Sequence, residues 1–319
     1  MNNTIKLIIK YQKNQDNDIF EKLVEQLKEI LRFKFYKIPL KDHDDLYQEM
    51  LIGLYKLINN FITKTSISDI TIYTIPIIKP LVNPNKFATI EKDVVIGEGT
   101  HIYSHAVVMD GARIGKNCRI FPGAVISAIP QDLKFVGEET TAVIGDNTTI
   151  RECATVNRGT ASKGTTIVGS HCLIMAYAHV AHDCKLGDRI IIGNATQLAG
   201  EVVVDDWAIV SGGTLVHQFC HLGAHIMVQG GSKITKDIPP YMMVGREPLG
   251  YMGLNIVGLR RRGFVAEQMN AIQESYRYVY LSGLNTTQAL EAIEQNIPES
   301  KEREDIVSFI KSSERGIIK

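Results

Sequence analysis

From Ile96 to Ile234 every sixth residue is isoleucine, leucine or valine, with three exceptions in twenty-four slots. The run reads Ile96, Ile102, Val108, Ile114, Ile120, Ile126, Ile144, Ile150, Val156, Val168, Ile174, Val180, Leu186, Ile192, Leu198, Val204, Val210, Val216, Leu222, Val228 and Ile234. Two positions before these aliphatics the residues are mostly small, as at Thr100, Ala106, Ala112, Ala124, Thr148, Ala154, Ala178, Thr196, Ala208 and Thr214. A repeat of this length is the signature of a hexapeptide β-helix, in which each hexad supplies one short strand and a corner, and the aliphatic ladder fills the interior. Three hexads make one triangular coil, so residues eighteen apart are stacked neighbours. The three slots that break the pattern, Asp132, Glu138 and Ser162, lie inside "SAIPQDLKFVGEETT" and "NRGTASKGT". These stretches are predicted to be loops thrust out of the prism, where binding groups usually sit.

The flanks follow other rules. Gly53 is the single glycine of the first ninety residues, and the first alanine is Ala88. The predicted organisation is a helical segment over 1–62, a junction over 63–87, the β-helix over 88–238 and a C-terminal helical domain over 239–319. Leu46, Met50, Leu54, Leu57, Ile58 and Phe61 recur at helical spacing after the acidic cluster Asp42, Asp44 and Asp45. Beyond the proline- and glycine-punctuated "DIPPYMMVGREPLGYMGLNIVG", the residues Phe264, Met269, Ile272, Tyr276, Val279 and Tyr280 form one helix face. Asn285 with Gln288 makes a capping box, and Pro298 precedes a further helix around Glu304 to Lys311. Before Ile96 the ladder is expected to have only Ile90 in phase, with an opening coil missing.

Composition narrows the function classes. The chain has 319 residues, 45% hydrophobic, and a formal net charge of zero, which gives no global attraction to nucleic acid or an anionic membrane. The longest apolar run, "ITIYTIPIIKPLV", carries two prolines and a lysine and is shorter than the ~20 residues of a membrane span. Five cysteines without a CxxC pair fit a reducing compartment, so the expected location is the cytoplasm. Cys118, Cys172, Cys184 and Cys220 all hold the small position two before a ladder residue, which marks them as interior packing rather than nucleophiles or ligands.

The chemistry concentrates in "IMAYAHVAHDCKLG", Ile174 to Gly187. His182 lies two places after Val180, outside the ladder. Eighteen residues on stands Gly200, and eighteen more bring Gln218. With strands ~4.8 Å apart, an imidazole, an unobstructed backbone N–H and a side-chain amide share one column: a base, an oxyanion donor and a substrate anchor. A zinc site needs three converging protein ligands, as hexapeptide-repeat carbonic anhydrases build from histidines at a subunit interface. His179, His182, His217, His221 and His225 supply the material, although they stand at different phases of the repeat.

With these residues stand "IPQDLKF", "TIRECATVNRGT", "AHVAHDC", "LAGEVVVDD", "LVHQF", "GLNIVGLRRRGF" and the terminal "SSERGIIK". Carrying them, the region from about Lys86 to Lys319 resembles the acyl-carrier-protein-dependent UDP-N-acetylglucosamine O-acyltransferases of lipid A synthesis, in the wording found in Bacteroides-type bacteria. The resemblance implies a left-handed β-helix and a homotrimer with sites between adjacent prisms. It implies UDP-N-acetylglucosamine and acyl carrier protein as partners, the carrier's phosphopantetheine bearing the acyl chain, with no cofactor or metal and no nucleic acid for the main domain. On this resemblance His182 is the general base, Asp183 orients it and Gly200 holds the oxyanion. Asp132, Lys134, His179 and Gln218 match sugar and diphosphate contacts; Asn255, Arg261 and Arg262 match nucleotide and pantetheine contacts. Glu201, Val257 and Asn157 depart from the residues many members carry. Other readings stay open: a related sugar-nucleotide acyltransferase acting on another hydroxyl or an amine, or a transcription-linked fusion. For the latter, "DLYQEMLIGLYKLINNF", Asp45 to Phe61, resembles the core-binding helix of sigma-70-type factors, which would offer an RNA polymerase contact through residues 45–61. It lacks the aromatic and basic stretch that melts promoter DNA, so a fusion or chimeric reading frame is expected rather than a working regulator.

Overall fold

The computed structural model describes residues 83–84 and 87–319, all within the compact unit Ile78–Lys319. The N-terminal helix expected over 1–62, with its sigma-like fragment, lies outside the described residues. What is described is a left-handed parallel β-helix followed by a hairpin and four helices.

Each rung is a strand of two to four residues, and the strands stack into three parallel sheets that form the faces of a prism. The first face contains Leu173–Ile174, Ile191–Ile192 and Ile209–Val210; the second His179–Val180, Gln197–Leu198 and Leu215–Val216; the third Lys185–Leu186, Val203–Val204 and His221–Leu222. The ladder residues point inward and are buried: Ile102, Ile120, Ile150, Ile174, Ile192 and Val210 are all 0% exposed. The small positions before them are equally buried, because an inward side chain at that place faces the narrow corner of the triangle. Where threonine stands there its hydroxyl is satisfied, as when Thr148 Oγ1 donates to Gly169 O at 2.7 Å and accepts from Cys172 N at 3.1 Å.

The corners show a rule that the ladder alone does not reveal. Three places after eighteen of the twenty-one aliphatics the backbone is left-handed, as at Asn117 (φ 54°), Asn147 (57°), Asp183 (61°), Glu201 (59°) and Trp207 (63°), and at Gly99, Gly111 and Gly213; the exceptions follow Ile126, Val156 and Ile234. Such a conformation costs an L-residue roughly 1–2 kcal/mol, so the stacked coils hold it in place.

At the base, Asn83–Pro84 pairs with His101–Ile102, so the ladder reaches one slot beyond Ile90 and that slot is a proline. Proline is tolerated there because the strand is at the edge of its sheet among the described residues. At the other end the proline- and glycine-punctuated stretch forms a hairpin. Met242–Gly245 joins the first face parallel to Met227–Val228, and Gly250–Leu254 returns antiparallel. Four helices follow, Ile256–Arg261, Ala266–Tyr280, Thr286–Asn296 and Lys301–Ser312. The Asn285–Gln288 capping box is present, and Ile272 and Tyr276 are buried against the prism core. Asp237 ties the tail to the prism: its Oδ1 accepts from His221 N and its Oδ2 from Ser313 Oγ, while its main chain bonds Gly316 and Ile318.

Replacing Ile192, fully buried in the ladder, by alanine is expected to cost about 2–5 kcal/mol. Replacing the exposed strand residue Lys233 by alanine should shift stability by less than about 0.5 kcal/mol. Urea unfolding compares them; equal losses would contradict the ladder as the source of stability.

Candidate active site

Both predicted loops leave the second face and enter the third. One runs from Val125–Ala128 to Thr141–Ile144, the other from Thr155–Asn157 to Thr165–Val168. His182 sits between His179–Val180 and Lys185–Leu186, so it lies on the same edge of the prism, just above the loops. The stacking separation grows from eighteen residues to thirty for Ile126 and Val156, and to twenty-four for Val156 and Val180; the extra chain emerges at this edge each time.

His182 and Asp183 are 8% and 5% exposed. His182 Nδ1 is 2.9 Å from Asp183 Oδ2. A carboxylate only accepts, so Nδ1 donates and neutral imidazole keeps its lone pair on Nε2. Asp183 is itself gripped by the second loop: Oδ1 accepts from Thr160 N at 3.0 Å and Oδ2 from Thr160 Oγ1 at 2.6 Å, while its own N–H donates to Thr166 Oγ1 at 2.8 Å. The next two loop residues are held by carboxylates as well. Ala161 N donates to Glu138 Oε1 at 3.1 Å, which links the two loops, and Ser162 Oγ donates to Glu201 Oε1 at 3.2 Å.

One rung above, a Cβ at Gly200 would fall 2.5 Å from His182 Nε2 and Cε1. Only glycine lets the imidazole lie flat on this rung. Among the described residues the Gly200 N–H has no hydrogen-bond partner, while its carbonyl accepts from Phe219 N at 3.2 Å. Gln218 follows one rung higher, half-buried, as the register of Leu198 on Val216 requires. One rung below is Arg158, whose guanidinium lies 5.5 Å from the Phe135 ring of the first loop. The base, the glycine and the amide thus share a column, joined from below by an arginine that was not anticipated.

His179 projects from the adjoining strand, with Nδ1 2.7 Å from Thr155 Oγ1. Burial, then the neighbouring His182, lowers its pKa. In the first loop Asp132 Oδ1 accepts from the Lys134 backbone N–H at 2.9 Å, and Lys134 is exposed. Asn157 donates to Ala128 O and Ile129 O and so fixes the start of that loop.

Asn255, Arg261 and Arg262 lie elsewhere within the chain. Asn255 is 2% exposed; it caps the helix Ile256–Arg261 through Gly258 N and donates to His225 O at 2.9 Å. Arg261 is exposed, and Arg262 packs on Trp207, donating to its carbonyl at 3.0 Å. Trp207 and His225 belong to the edge between the third and first faces, a different edge from that of His182. The histidines do not converge: His217 Nδ1 bonds Gln218 O, His221 bonds Asp205, and His225 lies in a ring stack. Among the described residues no three His, Cys, Asp or Glu side chains are grouped to hold a metal ion, and no helix is long and apolar enough to cross a membrane.

The two halves of this architecture match known families. Residues 237–318 match the model for domain 2 of UDP-N-acetylglucosamine O-acyltransferase, and residues 87–128 and 165–200 match the bacterial transferase hexapeptide repeats. The acyl-[acyl-carrier-protein]–UDP-N-acetylglucosamine O-acyltransferase of Verminephrobacter eiseniae is 44% identical over 218 residues, covering 67% of this chain and 83% of the relative. The chain belongs to the UDP-N-acetylglucosamine O-acyltransferase family. Solved members agree with it. The Bacteroides fragilis enzyme is 51% identical with a TM-score of 0.71, covering 74% of this chain and 99% of its own. The Francisella novicida enzyme is 44% identical with a TM-score of 0.71, covering 73% and 86%.

The surroundings of the cysteines fit interior packing. Burial pushes the thiol of Cys184 up to about 12, and those of Cys172 and Cys220 up to about 11; Cys118 is raised too, and Cys153 alone is exposed. A thiol-specific reagent at pH 8 is therefore expected to titrate one cysteine in the native chain and five after denaturation. Rapid reaction of Cys184 in the folded protein would contradict this packing.

Proposed function

We propose that this enzyme transfers a 3-hydroxyacyl chain from acyl carrier protein to the 3-hydroxyl of UDP-N-acetylglucosamine, the first step of lipid A biosynthesis. The observation that carries the reading is the buried His182–Asp183–Thr160 chain, with Gly200 lying flat on the imidazole. It fits a base that must present Nε2 in one direction and cannot be reoriented by solvent.

The reaction then follows from the atoms present. His182 Nε2 takes the proton of the sugar hydroxyl as its oxygen attacks the thioester carbonyl. Asp183 stabilises the imidazolium that forms. The carbonyl oxygen gains negative charge and is met by the Gly200 N–H, whose lack of an internal partner leaves it free for this task. Collapse of the tetrahedral species breaks the carbon–sulfur bond, and the imidazolium returns its proton to the departing pantetheine thiolate. General-base catalysis is typically worth ~10²–10⁴ in rate, and one oxyanion donor ~10²–10³. Protons and charge balance with these residues alone, and the donor's phosphopantetheine arrives on the carrier protein.

Gln218 in the column, His179 on the adjoining strand and Asp132 and Lys134 in the first loop suit the sugar and diphosphate. Asn255, Arg261 and Arg262 occupy another edge, so for them to serve the same nucleotide a second copy must bring that edge against the His182 edge of the first. A homotrimer of side-by-side prisms satisfies this requirement, each site lying between two subunits. The half-buried Arg262 would then face the nucleotide, with Asn255 acting through the helix that it caps. Carrier protein and nucleotide sugar are cytoplasmic compounds, which puts the reaction in that compartment.

His182→Ala is expected to fold and assemble as the parent does and to lose at least ~10²-fold in acyl transfer; turnover above a few per cent of the parent would refute the base assignment. Thr160→Val, which removes the hydroxyl on Asp183 Oδ2, should lower kcat about tenfold with KM for the sugar nucleotide little changed. A chain beginning at Ile78, assayed beside the full chain with several acyl lengths, is expected to match it. Loss of transfer on truncation would assign the first segment a part in catalysis.

A further inference from the structure

The edge between the third and first faces carries a row of side chains that the reaction as derived leaves without a task. Arg189, Trp207, His225 and Tyr241 succeed one another along it, each in the left-handed conformation. The Arg189 guanidinium lies 4.8 Å from the Trp207 ring centroid. The rings of Trp207 and His225 are 6.2 Å apart and inclined by 10°, those of His225 and Tyr241 5.6 Å and 15°. Phe264 closes the row edge-on to His225 at 5.1 Å.

The arginine-bearing helix docks on this row at both of its ends. At its start Asn255 bonds the His225 carbonyl and caps the helix. At its finish the Arg262 guanidinium sits 5.2 Å from the Trp207 centroid and bonds the Trp207 carbonyl. Burial first, then the charges of Arg262 and Lys301, push His225 down to about 4, so at neutral pH it is an uncharged neighbour for the arginine. Among the described residues none of Arg189, Arg260, Arg261 and Arg262 takes part in a salt bridge. This edge therefore presents several cations with their counter-charge still to come, and one of them is held rigid by an indole. A guanidinium fixed in this way loses less freedom when it meets an anion.

We propose that Trp207, the single tryptophan of the chain, is a positioning residue for the nucleotide: backed by His225, it holds Arg262 in the orientation that receives the diphosphate of the sugar nucleotide. The proposal rests on the reading of Asn255 and Arg262 as nucleotide contacts. It gives the row a function beyond packing, because loss of the ring would weaken nucleotide binding while the base column on the other edge keeps its geometry.

The position also supplies its own reporter. In the full-length chain, indole emission is expected to change saturably as UDP-N-acetylglucosamine is added, over the range in which calorimetry shows binding. Trp207→Leu should raise Kd and KM for the sugar nucleotide about tenfold with kcat within about twofold, and Trp207→Phe, which keeps a ring, should stay within about threefold of the parent. Arg262→Ala is the reference for the contact itself. If Arg262→Ala loses binding while folded Trp207→Leu binds like the parent, the proposal is overturned and the nucleotide reading stands. If Arg262→Ala binds like the parent, both fall. Binding without any change in the wild-type emission, or a loss in kcat alone, also overturns the proposal; the emission experiment decides the matter if Trp207→Leu fails to fold.

Discussion

Two-residue strands do not hold themselves. Each rung of this prism makes too few hydrogen bonds to persist alone, and it survives because the rung above and the rung below repeat it in register. The inward aliphatics make that register unique: a slip of one residue would turn Ile192 or Val210 outward and bring a partly exposed neighbour into the core. All that is variable must therefore leave at a corner and come back in phase. The two loops do this at one edge, which is how a repetitive scaffold acquires a single special side.

That side was legible in the sequence to a greater depth than the ladder count suggests. Ile126, Val156 and Val180 fall on the same one of the three faces, so the loops that follow the first two and the His182 corner that follows the third had to lie on one edge. The spacing from His182 to Gly200 to Gln218 was equally readable, because no insertion interrupts the ladder above Val168. The left-handed corners left a trace too, in the Gly and Asn residues three places after the aliphatics. Other features leave no local signal. The Thr160 hold on Asp183 joins a loop to a corner twenty-three residues away, and nothing in the composition of "NRGTASKGT" announces it. The hairpin Met242–Leu254 exists because the first face offers an open strand to pair with, which overrides its proline and glycine content. The packing of Arg262 on Trp207 spans fifty-five residues between prism and helix, so "RRRGF" alone does not separate the packed arginine from its exposed neighbours.

The division of labour between edges explains why a chain with no net charge can serve polyanionic substrates. One edge is built to hold an imidazole and an acid in fixed relation, under burial and a tight hydrogen-bond chain. The other gathers cations on a ring stack, away from that acid. Asp183 is already satisfied within its own chain by His182 and Thr160, which keeps the acid for the histidine.

A solenoid of parallel rungs has no intrinsic reason to stop, and its last coil offers unpaired backbone to any second molecule. Here the ties from Asp237 to Ser313, Gly316 and Ile318, with the antiparallel return of Gly250–Leu254, occupy that terminus. The hairpin and the C-terminal tail thus act together as a stopper against end-to-end fibre growth.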